Sequence, residues 1–147
     1  MNKKERINDY KLLLASKYKD KRYACSTELG VCRRGHRRAD FIAFSMKGEI
    51  IIIECKSCLA DYKSDHKWKD YLQYCNKFYF CMPESVYEKV KDDFKDLGIG
   101  VFAGYENDSR VMYVKNLKCA KWRPMKNRTK KELYLRMAFR NAEFRKY

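Results

Sequence analysis

The chain has 147 residues, and its 34 basic and 19 acidic side chains give a formal net charge of +15. Apolar residues make up 46% of the chain, with only six glycines and two prolines, which excludes a disordered, collagen-like or low-complexity protein. The length predicts one domain, over residues 1–147, with a core of its own.

The cellular setting is predicted from the cysteines and from the absence of export signals in this sequence. The apolar runs, such as the four isoleucines Ile50–Ile53, are far shorter than the roughly 18 residues of a membrane span. The basic first residues are not followed by an apolar stretch and a cleavage site. Seven cysteines, an odd number, then indicate free thiols in a reducing compartment. We therefore expect a cytoplasmic protein that does not act on membranes.

The positive charge is concentrated at the two ends of the chain. Residues 1–22 carry eight basic and three acidic residues, and residues 117–147 carry eleven and two. The middle of the chain, residues 23–116, is nearly neutral, with fifteen basic and fourteen acidic residues. When clustered Lys and Arg bind phosphates, the counterions of the nucleic acid are released, which favours binding. This excess therefore predicts a nucleic-acid partner. We divide the chain into a core, about 5–116, and a basic extension, about 117–147.

Apolar spacing predicts the elements of the first half of the chain. A stripe at residues 7, 10, 14 and 18 indicates a helix over 6–18. A weaker strand follows over 23–31, and two buried strands follow over 41–44 and 49–56. Apolar residues at i, i+3, i+4 and i+7 then predict a helix over 65–75, in which Trp68 and Tyr71 pack on the sheet.

The second half continues the alternation of strand and helix. An aromatic strand is predicted over 77–82, and a helix then runs to Leu97 and ends at Gly98. Short strands follow over 99–103 and 111–114. A capping box at 129–132 begins a last helix that runs to about Arg145. This order indicates a mixed α/β domain.

The turn between the second and third strands decides which side chains meet. A two-residue loop would place Asp40 opposite Cys55, on the other face from Glu54. A three-residue loop, 46–48, pairs Ser45 with Glu49 and therefore Asp40 with Glu54. Such loops favour a left-handed last residue, and Gly48 suits that conformation. The sequence thus favours the register in which two carboxylates share a sheet face.

This register would join Asp40, Glu54 and Lys56 in one cluster, because Glu54 and Lys56 point to the same face of their strand. Two carboxylates can hold Mg²⁺, which keeps several waters, and the ion makes a bound water more acidic. A lysine can offset charge on a phosphoryl group. The trio therefore suits phosphodiester hydrolysis. Four arginines near Asp40 could grip the substrate backbone: Arg33, Arg34, Arg37 and Arg38.

Several motifs follow one another in chain order over about residues 33–83. They are Arg37-Arg38-Ala39-Asp40, Gly48-Glu49, Glu54-Cys55-Lys56-Ser57, Asp61, Asp65-His66-Lys67-Trp68, Tyr71, and Tyr74-Cys75-Asn76-Lys77-Phe78-Tyr79-Phe80. Together they resemble the MmcB-like DNA-repair proteins of the PD-(D/E)xK nuclease superfamily.

The resemblance implies a fold and a set of roles. The fold would be a restriction-endonuclease-like core, a mixed sheet flanked by helices, with the basic C-terminal helix added. Asp40 and Glu54 would be metal ligands with the backbone carbonyl of Cys55, and Lys56 would be the catalytic lysine. The metal would be Mg²⁺, with Mn²⁺ as a substitute. Glu28 is a candidate for a further acid if the first strand lies beside Asp40, with Glu5 and Asp9 as rivals.

Two further patterns bear on binding. We expect the basic residues Lys67, Arg136 and Arg140 to contact nucleic acid, the last two from the C-terminal helix. Cys55 and Cys58 have a Cys-x-x-Cys spacing, but no second pair stands at matching distance, so the pattern favours two ordinary thiols over a zinc site.

These observations predict a divalent-metal-dependent nuclease acting on nucleic acid, most simply DNA, in repair or processing. The alternative is a nucleic-acid-binding module that keeps the nuclease fold without turnover, and a third hypothesis is a zinc-bound interaction protein. A second copy of the chain is a further candidate partner, because a small nuclease often needs two subunits to cut both strands of a duplex.

Overall fold

The computed structural model describes residues 1–33 and 37–141. Its helices are Lys3–Asp20 (α1), Leu59–Ser64 (α2), Glu84–Val90 (α3) and Asn127–Asn141 (α4). Its strands are Ala24–Gly30 (β1), Arg38–Phe44 (β2), Ile50–Cys55 (β3), Lys77–Pro83 (β4), Gly100–Glu106 (β5) and Val111–Lys118 (β6). Two short 3₁₀ segments, Trp68–Tyr74 and Lys91–Phe94, complete the described secondary structure.

The six strands form one sheet in the order of the sequence, β1-β2-β3-β4-β5-β6. The pairs β3–β4 and β4–β5 are parallel, whereas the other neighbours are antiparallel. The parallel pairs need crossovers, and the segments after β3 and β4 supply them with α2 and α3. The predicted mixed sheet flanked by helices is confirmed. None of the described helices has both the length and the apolar character needed to cross a bilayer.

Alternation along the strands divides the core between the two faces of the sheet. One face packs against α1 through Tyr10, Leu14 and Tyr18. The opposite face carries Ile50 and Ile52 of β3 and is covered by the 3₁₀ segment Trp68–Tyr74, α3 and α4. Because side chains alternate, Glu54 belongs to this second face. The candidate site therefore lies on the face opposite to α1.

The predicted single helix over 65–75 is wrong. α2 ends at Ser64, before the predicted range begins, and a 3₁₀ segment, Trp68–Tyr74, stands where the α-helix was expected. Asp65 causes the break, because its Oδ1 accepts the backbone N–H groups of Lys67 and Trp68 at 2.8 and 3.0 Å. The apolar contacts are as predicted: the Trp68 and Phe78 rings stack with centroids 5.8 Å apart.

Two other helix boundaries also differ from prediction. The helix after β4 ends at Val90 and continues as 3₁₀ only to Phe94, which leaves Leu97 46% exposed rather than buried. Gly98 nevertheless has the expected positive φ, 69°. The last helix begins at Asn127, so Thr129 lies inside its first turn and does not cap it. Its predicted end near Arg145 falls outside the described residues.

Part of the basic extension contributes to the core. β6 ends at Lys118, and Leu133 of α4 is only 1% exposed among the core residues of the second face. Lys130 and the Tyr134 hydroxyl donate hydrogen bonds to the carbonyl of Gly48, at 3.1 and 3.0 Å. α4 therefore packs against the β2–β3 hairpin that carries the candidate site.

Candidate active site

The β2–β3 hairpin has the predicted three-residue loop. The Ser45 amide donates to the Glu49 carbonyl at 2.9 Å, and the Gly48 amide donates to the Ser45 carbonyl at 3.0 Å. Gly48 has a φ of 87°, the left-handed conformation that glycine favours. The ladder pairs Phe41 with Ile53, so the next position outward places Asp40 opposite Glu54. The predicted register is confirmed.

Crossed hydrogen bonds join the two strands at this position. The Asp40 amide donates to Glu54 Oε1 at 3.0 Å, and the Cys55 amide donates to Asp40 Oδ2 at 2.8 Å. Each carboxylate thus takes the place of a backbone acceptor on the facing strand. Asp40 and Glu54 each keep a second carboxylate oxygen that can accept a further ligand.

Both carboxylates lie where a negative charge is unfavourable. Burial, followed by the adjacent charge of Asp40, raises the pKa of Glu54 well above its usual range. Burial also raises the pKa of Asp40, and the charge of Glu28 adds to this effect, although the Cys55 amide opposes it. A cation held between two such groups would relieve both effects.

Lys56 follows Glu54 by two residues and forms a buried ion pair with Asp65. Its Nζ lies 2.6 Å from Asp65 Oδ2, and the two side chains are only 11% and 9% exposed. Burial by itself would lower the pKa of Lys56, but the hydrogen bond and charge of Asp65 outweigh it and leave the pKa raised. Lys56 is therefore held in its charged form. The sequence suggested no partner for Lys56, because Asp65 follows a loop and a separate helix.

Glu28 lies on the strand next to Asp40, as the further-acid hypothesis requires. Its neighbours Thr27 and Leu29 pair with Phe41 and Ala39, so Glu28 lies beside Asp40 on the adjacent strand. Glu28 has a left-handed φ of 55°, a conformation that side-chain-bearing residues adopt at a cost of about 1–3 kcal/mol. Such strain is common beside functional sites.

The Glu28 side chain points to α1. Its Oε1 lies 2.6 Å from Lys11 Nζ, and its backbone carbonyl accepts a 2.6 Å hydrogen bond from Arg140 Nη1.

The rival acids, Glu5 and Asp9, have structural contacts elsewhere. Glu5 completes the N-terminal capping box of α1, and Asp9 is hydrogen-bonded to Arg110 and to the backbone at the start of β6.

The residues present fit a cation that keeps most of its own water. In the described part of the chain, no group of three or more His, Cys, Asp or Glu side chains is arranged to hold a metal ion. Mg²⁺, however, is usually bound by one or two carboxylates together with waters. Asp40 and Glu54, each with one oxygen still available, match that donor set. The Cys55 carbonyl at the end of β3 remains a predicted third ligand.

A cleft opens beside the pair. It has a volume of about 350 Å³, and we call it the carboxylate cleft. The buried Glu54 and Lys56 line it together with the exposed Lys67, whereas Asp40 is not among its described lining residues. The described residues that line it are Glu54, Lys56, Asp61, Ser64, Asp65, His66, Lys67 and Tyr71.

The predicted arginine cluster is only partly available for binding. Arg37 donates two hydrogen bonds to Asp70 Oδ2, at 2.9 and 2.7 Å. Arg33 is 75% exposed and lies 3.5 Å from Glu132. Arg38, at the start of β2, is also exposed. Arg34 lies outside the described residues.

Arg136 and Arg140 have structural contacts in addition to any binding role. Arg136 lies 3.6 Å from Glu132 and is 27% exposed, and Arg140 bonds to the backbone of Glu28. Contact of these two side chains with nucleic acid stays a prediction.

The two cysteines of the Cys-x-x-Cys pattern lie in different surroundings. Cys55 is buried in the core on the α1 face of the sheet. Cys58 is partly exposed and precedes α2. Asn76, also in the resemblance, is fully buried and ties β3 to the segment before α4, by accepting from Ile50 N and donating to Arg123 O at 3.0 and 2.8 Å.

Known proteins resemble both the fold and the sequence. The solved structure of the SPO1766 protein of unknown function from Silicibacter pomeroyi is similar, with a TM-score of 0.70 at 20% identity over 95% of this chain and 86% of that chain. No curated protein matches the chain. A family model described as DNA repair protein MmcB-like matches residues 10–145, well beyond residues 33–83, and takes in β6 and α4. The chain belongs to the MmcB-like DNA repair protein family.

Proposed function

We propose that the protein is a cytoplasmic, divalent-metal-dependent nuclease that hydrolyses phosphodiester bonds of DNA during repair. On this proposal it belongs to the PD-(D/E)xK superfamily and has a restriction-endonuclease-like core. The observation that carries the proposal is the cross-strand pair of Asp40 and Glu54 with Lys56 on the same face, in a chain of a DNA-repair family.

Asp40 and Glu54 would hold the cation through the oxygens that do not accept the crossed hydrogen bonds. Those hydrogen bonds fix both carboxylates, so the site would need little reorganisation to bind Mg²⁺ or Mn²⁺. The bound ion would supply an acidified water and a polarised phosphoryl oxygen. The raised pKa values of both residues mean that protons compete with the ion for this pair.

Lys56 would act as a fixed positive charge. Because its pKa is raised, it keeps its proton and is unsuited to the role of general base. Its ammonium group lies at the carboxylate cleft, where it can bind a non-bridging phosphate oxygen and offset the charge that develops on the phosphoryl group. Asp65 would set the direction of this side chain.

The second candidate function is a non-catalytic DNA-binding module. The ion pairs favour it: Asp65 neutralises Lys56, and Lys11 neutralises Glu28, so two of the candidate catalytic groups already have partners. Such a protein would bind DNA through its basic surface and leave it intact.

Cleavage assays with matched variants separate these two functions. Asp40→Asn, Glu54→Gln and Lys56→Ala should each abolish Mg²⁺-dependent cleavage of single-stranded, duplex or branched DNA, while Glu88→Gln, an exposed carboxylate on α3, should cut like wild type. In chelator, Asp40→Asn should bind DNA at least as tightly as wild type, because it lacks a charge that repels phosphate. Lys56→Ala should bind somewhat less tightly.

Two results would overturn the nuclease proposal. A wild-type protein that binds all three substrates but cuts none in Mg²⁺ or Mn²⁺ would favour the binding module. Cleavage that persists unchanged in Asp40→Asn would show that the carboxylate pair is not the site.

A further inference from the structure

A second and larger cleft lies between α1 and α2. Its volume is about 610 Å³, and we call it the α1–α2 cleft. Of the nine described residues that line it, three are lysines and one is acidic. The lysines are Lys3, Lys4 and Lys11, which occupy the first half of α1.

The lysines of this cleft outnumber the carboxylates that line it. Its one carboxylate, Asp61, accepts hydrogen bonds from the Ser57 amide and hydroxyl at 2.9 and 3.1 Å. Lys11 is paired with Glu28, but Lys3 and Lys4 are exposed and form no ion pair with any described residue. The two unpaired lysines therefore outweigh the single charge of Asp61, and the described lining of the cleft keeps a net positive charge.

Helix stability does not account for these two lysines. They occupy the first two positions of α1, next to its N-cap, Asn2. The N-terminal end of a helix carries the positive end of its dipole, where cations are unfavourable and acids are preferred. Lysines at these positions are therefore better explained by a ligand than by folding.

The α1–α2 cleft adjoins the carboxylate cleft. Asp61 and Ser64 of α2 line both, so α2 forms the boundary between them. Arg6 fixes the two walls, because its Nη1 donates to the Ser57 carbonyl at 2.9 Å and its other nitrogens bind Glu106. A strand that passes over α2 would meet the lysines of α1 on one side and Glu54 with Lys56 on the other.

We propose that the α1–α2 cleft binds the phosphate backbone of the substrate strand, across α2 from the carboxylate cleft. Lys3 and Lys4 would contact phosphates that flank the bond being cleaved. This inference rests on the proposed action on DNA, and it narrows the basic excess of residues 1–22 to two lysines at one cleft beside the carboxylate pair.

The test is the double variant Lys3→Ala/Lys4→Ala, compared with Lys19→Ala/Lys21→Ala. The control removes the same charge from the last turn and the C-cap of the same helix, about 22–27 Å away at 1.5 Å per residue. Alanine favours helix, so the test variant should melt no lower than wild type. Binding of labelled DNA is measured in chelator between about 50 and 200 mM salt, so that the result does not depend on cleavage.

We expect the slope of log affinity against log salt to fall by about 1 for each lysine that contacts a phosphate, on every DNA sequence tested. The control should keep a slope closer to that of wild type. Under Mg²⁺, the test variant should cut more slowly at low DNA concentration and recover at saturating DNA, because its carboxylate pair is intact.

Distinct results overturn this inference and the nuclease proposal. An unchanged slope in the test variant, or an equal fall in the control, would overturn the cleft assignment even if the protein cuts DNA. A selective fall in slope without cleavage by any variant would support the cleft and overturn the nuclease. Loss of binding to vesicles of anionic phospholipid, with DNA binding intact, would assign the lysines to a membrane surface and overturn the inference.

Discussion

Asp40 and Glu54 each accept a hydrogen bond from a backbone amide of the strand that carries the other. The Asp40 amide bonds to Glu54, and the amide after Glu54 bonds to Asp40. An asparagine or glutamine keeps a carbonyl oxygen that can accept the same bond. Asp40→Asn and Glu54→Gln therefore remove a charge but keep an oxygen that can accept the hydrogen bond from the facing strand.

Glu54→Gln should raise the stability of the metal-free protein at neutral pH. Because the pKa of Glu54 is raised, the folded state holds its proton at pH values at which the unfolded chain has released it. Wild-type stability therefore falls as pH rises above about 4.3, the unfolded value, through the folded pKa. Thermal melts in chelator should show a gain of a few degrees for the variant at pH 7, and no gain near pH 4. A gain that persisted at low pH would contradict this account.

Asp65→Asn should destabilise the protein through Lys56. The variant keeps an oxygen for the amides of Lys67 and Trp68 but leaves a buried ammonium group without its counter-charge. Loss of one partner from a buried pair costs about 3–5 kcal/mol, and a value near 3 is expected here because both side chains retain some exposure. Urea unfolding measures the loss.

The companion of this variant is Lys56→Met, which removes the ammonium group and keeps an apolar chain. In the Lys56→Met background, Asp65→Asn should cost much less than it does alone, because no buried cation remains to be neutralised. Equal costs in the two backgrounds would show that the loss does not come from the ion pair with Lys56.

The strand register and the carboxylate pair were predictable because they depend on local rules. Gly48 sets the loop, and the alternation of side chains along β2 and β3 then places Asp40 beside Glu54. Four consecutive isoleucines marked β3 as buried on both faces, and alternation then places Glu54 on the face of Ile50 and Ile52.

The surroundings of the pair were not predictable, because they depend on distant contacts and on local competition. The Asp65 side chain accepts the backbone amides of Lys67 and Trp68 at the start of the expected 65–75 helix, and apolar spacing does not predict such hydrogen bonds. Its ion pair with Lys56 depends on how the loop after β3 folds back. The pairing of Lys11 with Glu28 depends on the docking of α1 and on an unusual backbone angle at Glu28.

Asp9→Asn should destabilise the protein in a way that disappears in acid. The Arg110 hydrogen bond holds the pKa of buried Asp9 below its usual range, against the effect of burial, and the Val111 amide adds to it. This stabilisation is present above about pH 4 and is lost as pH falls through the folded pKa. Since Arg110 is largely exposed, we expect a loss of only about 1–2 kcal/mol at pH 7. The unfolding curves of wild type and Asp9→Asn should differ at pH 7 and lie closer together at pH 3.

Gly48→Ala should destabilise the hairpin, whereas Gly30→Ala should not. A Cβ at Gly48 would meet the Tyr134 hydroxyl at 2.9 Å, and the left-handed φ costs a non-glycine residue about 1–2 kcal/mol. A Cβ at Gly30 would meet no atom of the described residues within 4 Å beyond its chain neighbours, and Gly30 lacks a positive φ. Alanine there should therefore be neutral or stabilising by up to about 1 kcal/mol. Thermal melts of the two variants, with cleavage assays, measure both effects.

The two clefts differ in how far apart in the chain their parts lie. The crossed bonds of the carboxylate pair join residues 14 and 15 positions apart, whereas the bond of Arg6 to the Ser57 carbonyl spans 51 positions. Closing a short loop costs less entropy, and contacts between near neighbours in the chain form faster. We therefore expect the β2–β3 hairpin to assemble the carboxylate pair early in folding, and the lysine-lined cleft to form only when α1 docks.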